Sequence, residues 1–388
     1  MDIAKKVFIA SIILFLLTVN ISTLHMDLSN EFELGSRGNT ITVNQNGTGD
    51  HSTIQDAIDH AKPGDTVSIG NGTYYESIVI STSIDLVGSG NRSSIIYGNA
   101  DEDVITLNAD GCSISNLMVT CHSPGPGENI ELDDDETSSG IVITGKGNII
   151  RDCNMSQNDV GITIRYSDEN TIENCVCNFN HFLGILEKEG NRNIIRNNTI
   201  GNNKFGIRTR ISKDTMIENN LCEDNRKDGI WLDDSEKMKV YWNKCDTNGG
   251  SGIYLKGSAE NEIMNNECKN NSGSGIHLDW SSENEIMHNE CKNNDLYGIE
   301  FGEYCGDNKV HHNDCRNNGR GGIYLDYLAS SNDIENNQGV VVDDSKFVTI
   351  TLVSCGAIFV ILFIISIVAF IYIYKRKNRE SKRKQEKK

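Results

Sequence analysis

The chain has 388 residues, with 36 Lys and Arg against 55 Asp and Glu, and a net charge of −19. The last 14 residues hold nine basic and two acidic side chains, the first 24 are nearly neutral, and the stretch between them stands at −27. That middle lacks the clustered cations needed to bind nucleic acid or an anionic membrane face. With 37% hydrophobic residues and 36 glycines, the whole chain predicts a narrow, repetitive core in place of one large globule.

Taken in chain order, Lys5 and Lys6 precede an apolar run over residues 7–19, broken only by Ser11 and Thr18. Its length suits the hydrophobic region of a secretory signal and is short for a spanning helix. Residues 1–24 therefore read as a signal peptide, or as an uncleaved signal anchor. Residues 66–69, 78–80, 84–87, 95–96, 104–107 and 114–119 are short apolar alternations that predict strands. Residues 54–61 differ: Ile54, Ala57, Ile58 and Ala61 fall on one helical face, and Pro63-Gly64 stops the pattern. Stacked repeats need terminal caps, so this amphipathic helix is expected to plug the open end of a coil. A loop over residues 120–139 follows, with the acidic run Glu131, Asp133, Asp134, Asp135 and Glu136. It reads as a solvated loop, with a Ca²⁺ site formed by its carboxylates as the alternative.

A Gly-Ile-x-(Leu/Ile) pattern then recurs at Gly140, Gly161, Gly184, Gly206, Gly229, Gly252, Gly275, Gly298 and Gly322, at intervals of 21 to 24 residues. Glu187, Thr209 and Phe301 replace the last aliphatic residue in three copies. Between the glycines lies Ile-x-x-Asn-x-Cys, as in Ile263, Asn266 and Cys268. Each copy has only short apolar alternations separated by Asn, Gly, Asp and Ser, which is strand and turn and not helix. A coil of this length that brings Ile onto Ile is one rung of an all-β, right-handed parallel β-helix over residues 40–338, with neighbouring rungs about 4.8 Å apart. A leucine-rich repeat has a similar period, but leucine is too scarce here and no stretch remains for its convex helix. Cys177, Cys222, Cys245, Cys268, Cys291 and Cys315 share one position with Met155 and Ile200, so this ladder is expected to point inward as small hydrophobes.

Residues 339–346 read as a polar linker. Residues 347–374 carry no charge, and at about 1.5 Å per residue they exceed a hydrocarbon core of about 30 Å. They predict one transmembrane helix. The basic residues 375–388 then form a cytoplasmic tail, with the β-helix outside the cell membrane. Sequons at Asn46, Asn71, Asn91, Asn154, Asn197 and Asn270 are compatible with glycosylation on that side.

Within Gly-Ile-x-Leu the x side chain faces out. The outward positions stack as Arg208, Trp231, Tyr254, His277, Glu300 and Tyr324, and two residues on as Arg210, Asp233, Lys256, Asp279, Gly302 and Asp326. Aromatics beside carboxylates on a flat sheet suit a polysaccharide: Arg208, Trp231, Asp233, Tyr254, His277, Tyr324 and Asp326 are the candidate ligand contacts. The plainer reading is a solvated face on which aromatic pairs stabilise the sheet. Asp279 and Glu300 lie one rung and two residues apart, about 8 Å between Cα atoms. They are the candidate catalytic pair if the protein hydrolyses or cleaves glycans, since an inverting glycosidase needs carboxyl groups about 6.5–9.5 Å apart.

Thr42, Val43 and Asn46-Gly47-Thr48-Gly49-Asp50, then residues 53–58, Pro63-Gly64-Asp65 and Gly72-Thr73-Tyr74, resemble the opening segment of pectin-lyase-like β-helix proteins. The repeat itself resembles β-helix repeats of the NosD type, grouped with carbohydrate-binding and sugar-hydrolase domains. The resemblance implies the fold, but not one activity, because the fold hosts lyases, hydrolases, esterases, epimerases and non-enzymes. The chain has no Gly-x-x-Asp-Phe-x-Phe-Gly esterase motif and no Asp-Pro-His epimerase motif. The NosD likeness also implies copper handling. Met264, Met287 and His311 form a second outward stripe, with His288 and His312 beside it, and thioether and imidazole suit copper. Three functions follow for a membrane-anchored surface protein: polysaccharide binding or processing, NosD-like copper handling, or a structural or adhesive role without chemistry.

Overall fold

The computed structural model describes residues 38–90, 93–99, 101–121 and 137–345. The expected signal segment, the acidic run 131–136, the expected membrane helix 347–374 and the basic tail lie outside the described residues. Among the described residues no helix is long and apolar enough to cross a membrane. The chain divides into two units, Met1–Asn39 and Thr40–Lys388, and all described strands and the helix belong to the second.

This second unit is a parallel β-solenoid of about twelve turns. Its strands form a 12-stranded face, a 13-stranded face and a third face in stretches of three and five strands, which isolated bridges join through Asn154 and Val176. One rung shows the plan. The strand Ile230–Asp233 lies on the 12-stranded face, Lys239–Tyr241 on the 13-stranded face and Lys244–Asp246 on the third. Each pairs in parallel with the strand one rung on, so Ile230 meets Ile253, Val240 meets Ile263 and Cys245 meets Cys268. Alternation sends Ile230, Leu232, Val240 and Cys245 inward, where all are fully buried. One continuous apolar core thus runs from Val43 to Ala329. The inward cysteine ladder of the sequence reading is present, with all six thiols buried in line with Ile200.

The corners between faces are narrow. After Tyr241 the chain turns through Trp242, in the left-handed region at φ 53°, and then Asn243, which is buried. The Asn243 N–H donates to Asn266 Oδ1 at 2.9 Å, and its amide donates to Ile217 O at 2.8 Å. The same geometry repeats from Asn198 to Asn313, and a second ladder runs from Asn203 to Asn294 at the next corner. Buried corner backbone groups are thereby satisfied within the protein.

Three boundaries differ from the sequence reading. Residues 114–119 form two strands, Ser113–Ser115 and Met118–Thr120, because Asn116 takes φ 58° and turns a corner between them. The last strand, Val341–Asp343, pairs with Ile323–Leu325 inside the stretch read as a linker, since its valines continue the inward-outward alternation. The helix spans Ile54–His60 and buries Ile54, Ala57 and Ile58 against the strands Thr40–Val43, Thr66–Ile69 and Ile78–Ile80. Thr53 provides no side-chain cap; instead the Ile54 and Gln55 N–H groups donate to the Glu76 carboxylate at 2.9 and 3.0 Å. Asn46, Asn71, Asn197 and Asn270 are exposed sequons, whereas Asn154 is half-buried.

Candidate functional site

The outer surface of the 12-stranded face carries the predicted stripe in register. Arg208 lies beside Trp231, Trp231 beside Tyr254, Tyr254 beside His277, His277 beside Glu300 and Glu300 beside Tyr324. The rings form a near-continuous stack. Phe205 and Trp231 have centroids 5.2 Å apart, Trp231 and Tyr254 5.9 Å, and Tyr254 and His277 5.0 Å. Spacings of this kind are those of attractive aromatic pairs. The stack is half-buried on its protein side, and the Trp231 indole N–H is buried with no acceptor.

Not every predicted contact is available to a ligand. Asp233 is buried, and its Oδ2 accepts from Arg208 at 2.6 Å. The Arg208 guanidinium also lies 4.0 Å from the Trp231 ring centroid. Arg208 and Asp233 therefore hold Trp231 in place, which corrects their reading as free contacts: a cation and a carboxylate in adjacent registers pair with each other first. Asp326 is half-buried and accepts from the Leu328 N–H at 3.0 Å. Tyr324 stacks on Tyr297 at 4.8 Å and donates its hydroxyl to Asp344 at 3.3 Å, so it forms a second aromatic patch further along the face.

The densest chemistry lies around Asp279. Its Oδ2 accepts from the Tyr254 hydroxyl at 3.0 Å and lies 3.5 Å from His277 Nε2. Burial raises the cost of charging Asp279, but the hydrogen bonds and charge of His277 outweigh it and hold the carboxyl below its ordinary value. His277 shows the converse: burial opposes its proton, yet Asp279, Glu300 and Asp228 together raise its pKa. Burial is also the first cause that raises Asp228, whose carboxylate accepts from the Ser251 N–H at 2.6 Å. Glu300 accepts from the Ser274 hydroxyl at 2.5 Å. The Asp279–Glu300 arrangement is thus a carboxylate pair with an imidazole in the register between them, able to exchange protons as well as to accept sugar hydroxyls. Asp228, Ser274 and Phe205 escaped the sequence reading because they stand before the Gly-Ile motif in a column that varies from rung to rung. A groove of about 500 Å³, bordered by Val79, Asp103, Thr106 and Arg165, opens further up the same face.

On the 13-stranded face Met264, Met287 and His311 are in register, and the His288 and His312 rings stack at 5.2 Å on left-handed corner residues. Among the described residues no three His, Cys, Asp or Glu side chains gather as a metal site would require.

The family model for the right-handed β-helix region matches residues 139–260 and 242–355, more than half of the chain. The chain belongs to the right-handed β-helix family. Solved β-helix structures with the same fold include the Dettilon tailspike protein, with a TM-score of 0.63 at 16% identity over 75% of this chain. The chain spans 64% of the tailspike's own length. The A-module of the mannuronan C-5 epimerase AlgE4 of Azotobacter vinelandii aligns with a TM-score of 0.54 at 15% identity, over 73% of this chain and 94% of that module. The periplasmic alginate epimerase AlgG aligns at 0.51 and 15%, over 72% and 76%. A comparison with curated proteins finds no match. At these identities the likeness is one of fold, and the pectin-lyase-like expectation holds at that level.

Proposed function

We propose that this β-helix binds a polysaccharide along its 12-stranded face, with the Trp231, Tyr254 and His277 stack as the floor of the site. The observation that carries the reading is the ring stack itself: Phe205, Trp231, Tyr254 and His277 follow one another along the outward column, beside the Asp279 carboxylate. The fold neighbours that are mannuronan and alginate epimerases are consistent with a glycan on such a surface. Asp279 and Glu300 accept hydroxyls, and if the bound chain is also processed, His277 between them is the group suited to move a proton. The helix Ile54–His60 closes the first rungs as a cap. The segment 347–374 anchors the protein in the cell membrane with the β-helix outside and the tail in the cytoplasm. A second reading, copper held by Met264, Met287, His288, His311 and His312, draws on one observation, the buried and unpartnered Nε2 of His311.

The test is affinity for a panel of soluble neutral and acidic polysaccharides. Trp231→Ala with Tyr254→Ala is expected to weaken binding by about 1–3 kcal/mol per central anchor, with circular dichroism unchanged. Equal affinity of the double variant and the parent for every chain would leave this face a solvated sheet.

A further inference from the structure

The turn that leaves the 12-stranded face has one residue per rung in the left-handed region. Backbone hydrogen bonds from each rung to the next align Tyr166, Glu189, Ile211, Asp234, Gly257, Trp280 and Tyr304 in one column. Bulky side chains disfavour this conformation, which suits Gly, Asn and Asp. Two large rings nevertheless follow one another at the end of the column, with Trp280 at φ 53° and Tyr304 at φ 52°. Their centroids are 4.4 Å apart, and they are 58% and 51% exposed. Neither ring belongs to the apolar core.

The neighbourhood is built to hold this pair in line. Trp280 and Tyr304 are 24 residues apart where Gly257 and Trp280 are 23 apart. The extra residue is absorbed at Gly302-Glu303. A Cβ at Gly302 would lie 1.9 Å from Asp279 Oδ1, so glycine there leaves room for the Asp279 carboxylate. The Gly302 N–H donates to Leu278 O and the Trp280 N–H to Glu303 O, which holds the extra residue between them. The result restores Tyr304 to the Trp280 register, and the same Asp279 also receives the Tyr254 hydroxyl. One carboxylate thus links the central ring stack to the rim.

We propose that Trp280 and Tyr304 form a second carbohydrate subsite, an exposed aromatic platform on the rim of the face that stacks against the apolar side of an uncharged hexopyranose unit. This rests on the polysaccharide reading of the same face. Charge selects the class of sugar. Over residues 274–308 the one Lys or Arg is Lys292, already paired with Glu290 and Asp314 at 2.7 and 2.6 Å, and the preceding rung adds one cation, Lys256, in register beside Asp279. Asp279, Glu283 and Glu303 lie close in sequence to the two rings. A polyuronate would meet Asp279, Glu283 and Glu303 against the single cation Lys256, a net like charge, whereas a neutral chain presents hydroxyls to the carboxylates and C–H faces to the rings.

The test uses the full chain with soluble laminarin and mannan as neutral probes and alginate as the anionic one. Trp280→Ala with Tyr304→Ala is expected to lower affinity for a neutral probe at least tenfold, while Trp280→Phe with Tyr304→Phe retains most of it. Unchanged affinity of the Ala variant overturns the subsite. If Trp231→Ala with Tyr254→Ala still loses binding in that case, the central-stack reading survives alone. A parent that binds none of the three probes overturns both. As a check that does not depend on the Ala variant folding, the emission of the parent, which has three tryptophans, is compared with that of Trp280→Phe. The parent's emission is expected to shift on saturation with the neutral probe and that of Trp280→Phe to shift clearly less, and equal shifts overturn the subsite.

Discussion

Glu187 stands in an inward column that otherwise reads Ile143, Ile164, Thr209, Leu232, Leu255, Leu278, Phe301 and Leu325. It is fully buried. Its Oε1 accepts from the Asn193 amide and the Thr215 hydroxyl, each at 2.7 Å, while Oε2 has no partner. Burial pushes the carboxyl up to about 7, against the two hydrogen bonds that favour its charge. A folded-state value above the unfolded one, about 4.3, means that the folded protein binds the extra proton between those limits. Stability is therefore greatest below pH about 4.3 and falls as pH rises to about 7, by at most about 3–4 kcal/mol from this group. Glu187→Gln keeps both hydrogen bonds and has nothing to titrate. It is expected to raise the urea midpoint at pH 8 and to remove most of the difference between pH 5 and pH 8. A variant with the parent's pH slope would show that Glu187 is not its source. The sequence marks Glu187 as a departure from the repeat, but its surroundings depend on Asn193 and Thr215 arriving from the following turn and the next rung.

The corners are the elements that the repeat makes legible and the fold makes costly to change. Asn243 was readable as a fixed position of Ile-x-x-Asn-x-Cys, yet nothing in one rung says that its carbonyl serves the rung before it and its amide the rung after. In the structure Asn243 Oδ1 accepts the N–H of Asn220 at 3.0 Å, and the Asn243 amide donates to Asn266 Oδ1 at 3.0 Å. Asn243→Ala strips partners from several buried backbone and amide groups at once. It is expected to cost about 2–4 kcal/mol, since each orphaned buried group costs about 1–3. Hydrogen exchange should quicken first in the rungs next to residue 243, because a solenoid couples only neighbouring repeats. A uniform loss of protection along the coil would contradict that. The split of residues 114–119 has the same origin: Asn116 reads as a polar break within one strand, and only packing against the neighbouring rung makes it a corner.

At the scale of the molecule, the charge pattern and the coil point to different parts of one architecture. We expect protease added to intact cells to remove the β-helix and spare an epitope placed after Lys388, because the uncharged residues 347–374 are followed by nine basic side chains. Loss of that epitope in intact cells would reverse the proposed topology. The period, the inward Ile, Leu and Cys ladders and the outward aromatic stripe were all determined by the sequence alone. They are local alternations multiplied by a constant repeat, and a constant repeat leaves little freedom in how rungs stack. The pairing of Arg208 with Asp233, the local hydrogen bond of Asp326 to Leu328, the linkage of Tyr254, His277 and Asp279, and the alignment of Trp280 with Tyr304 were decided only by the tertiary structure. Each joins side chains about one rung apart or bends a loop, and such choices depend on distances of a few ångströms between charges and rings that spacing along the chain does not encode.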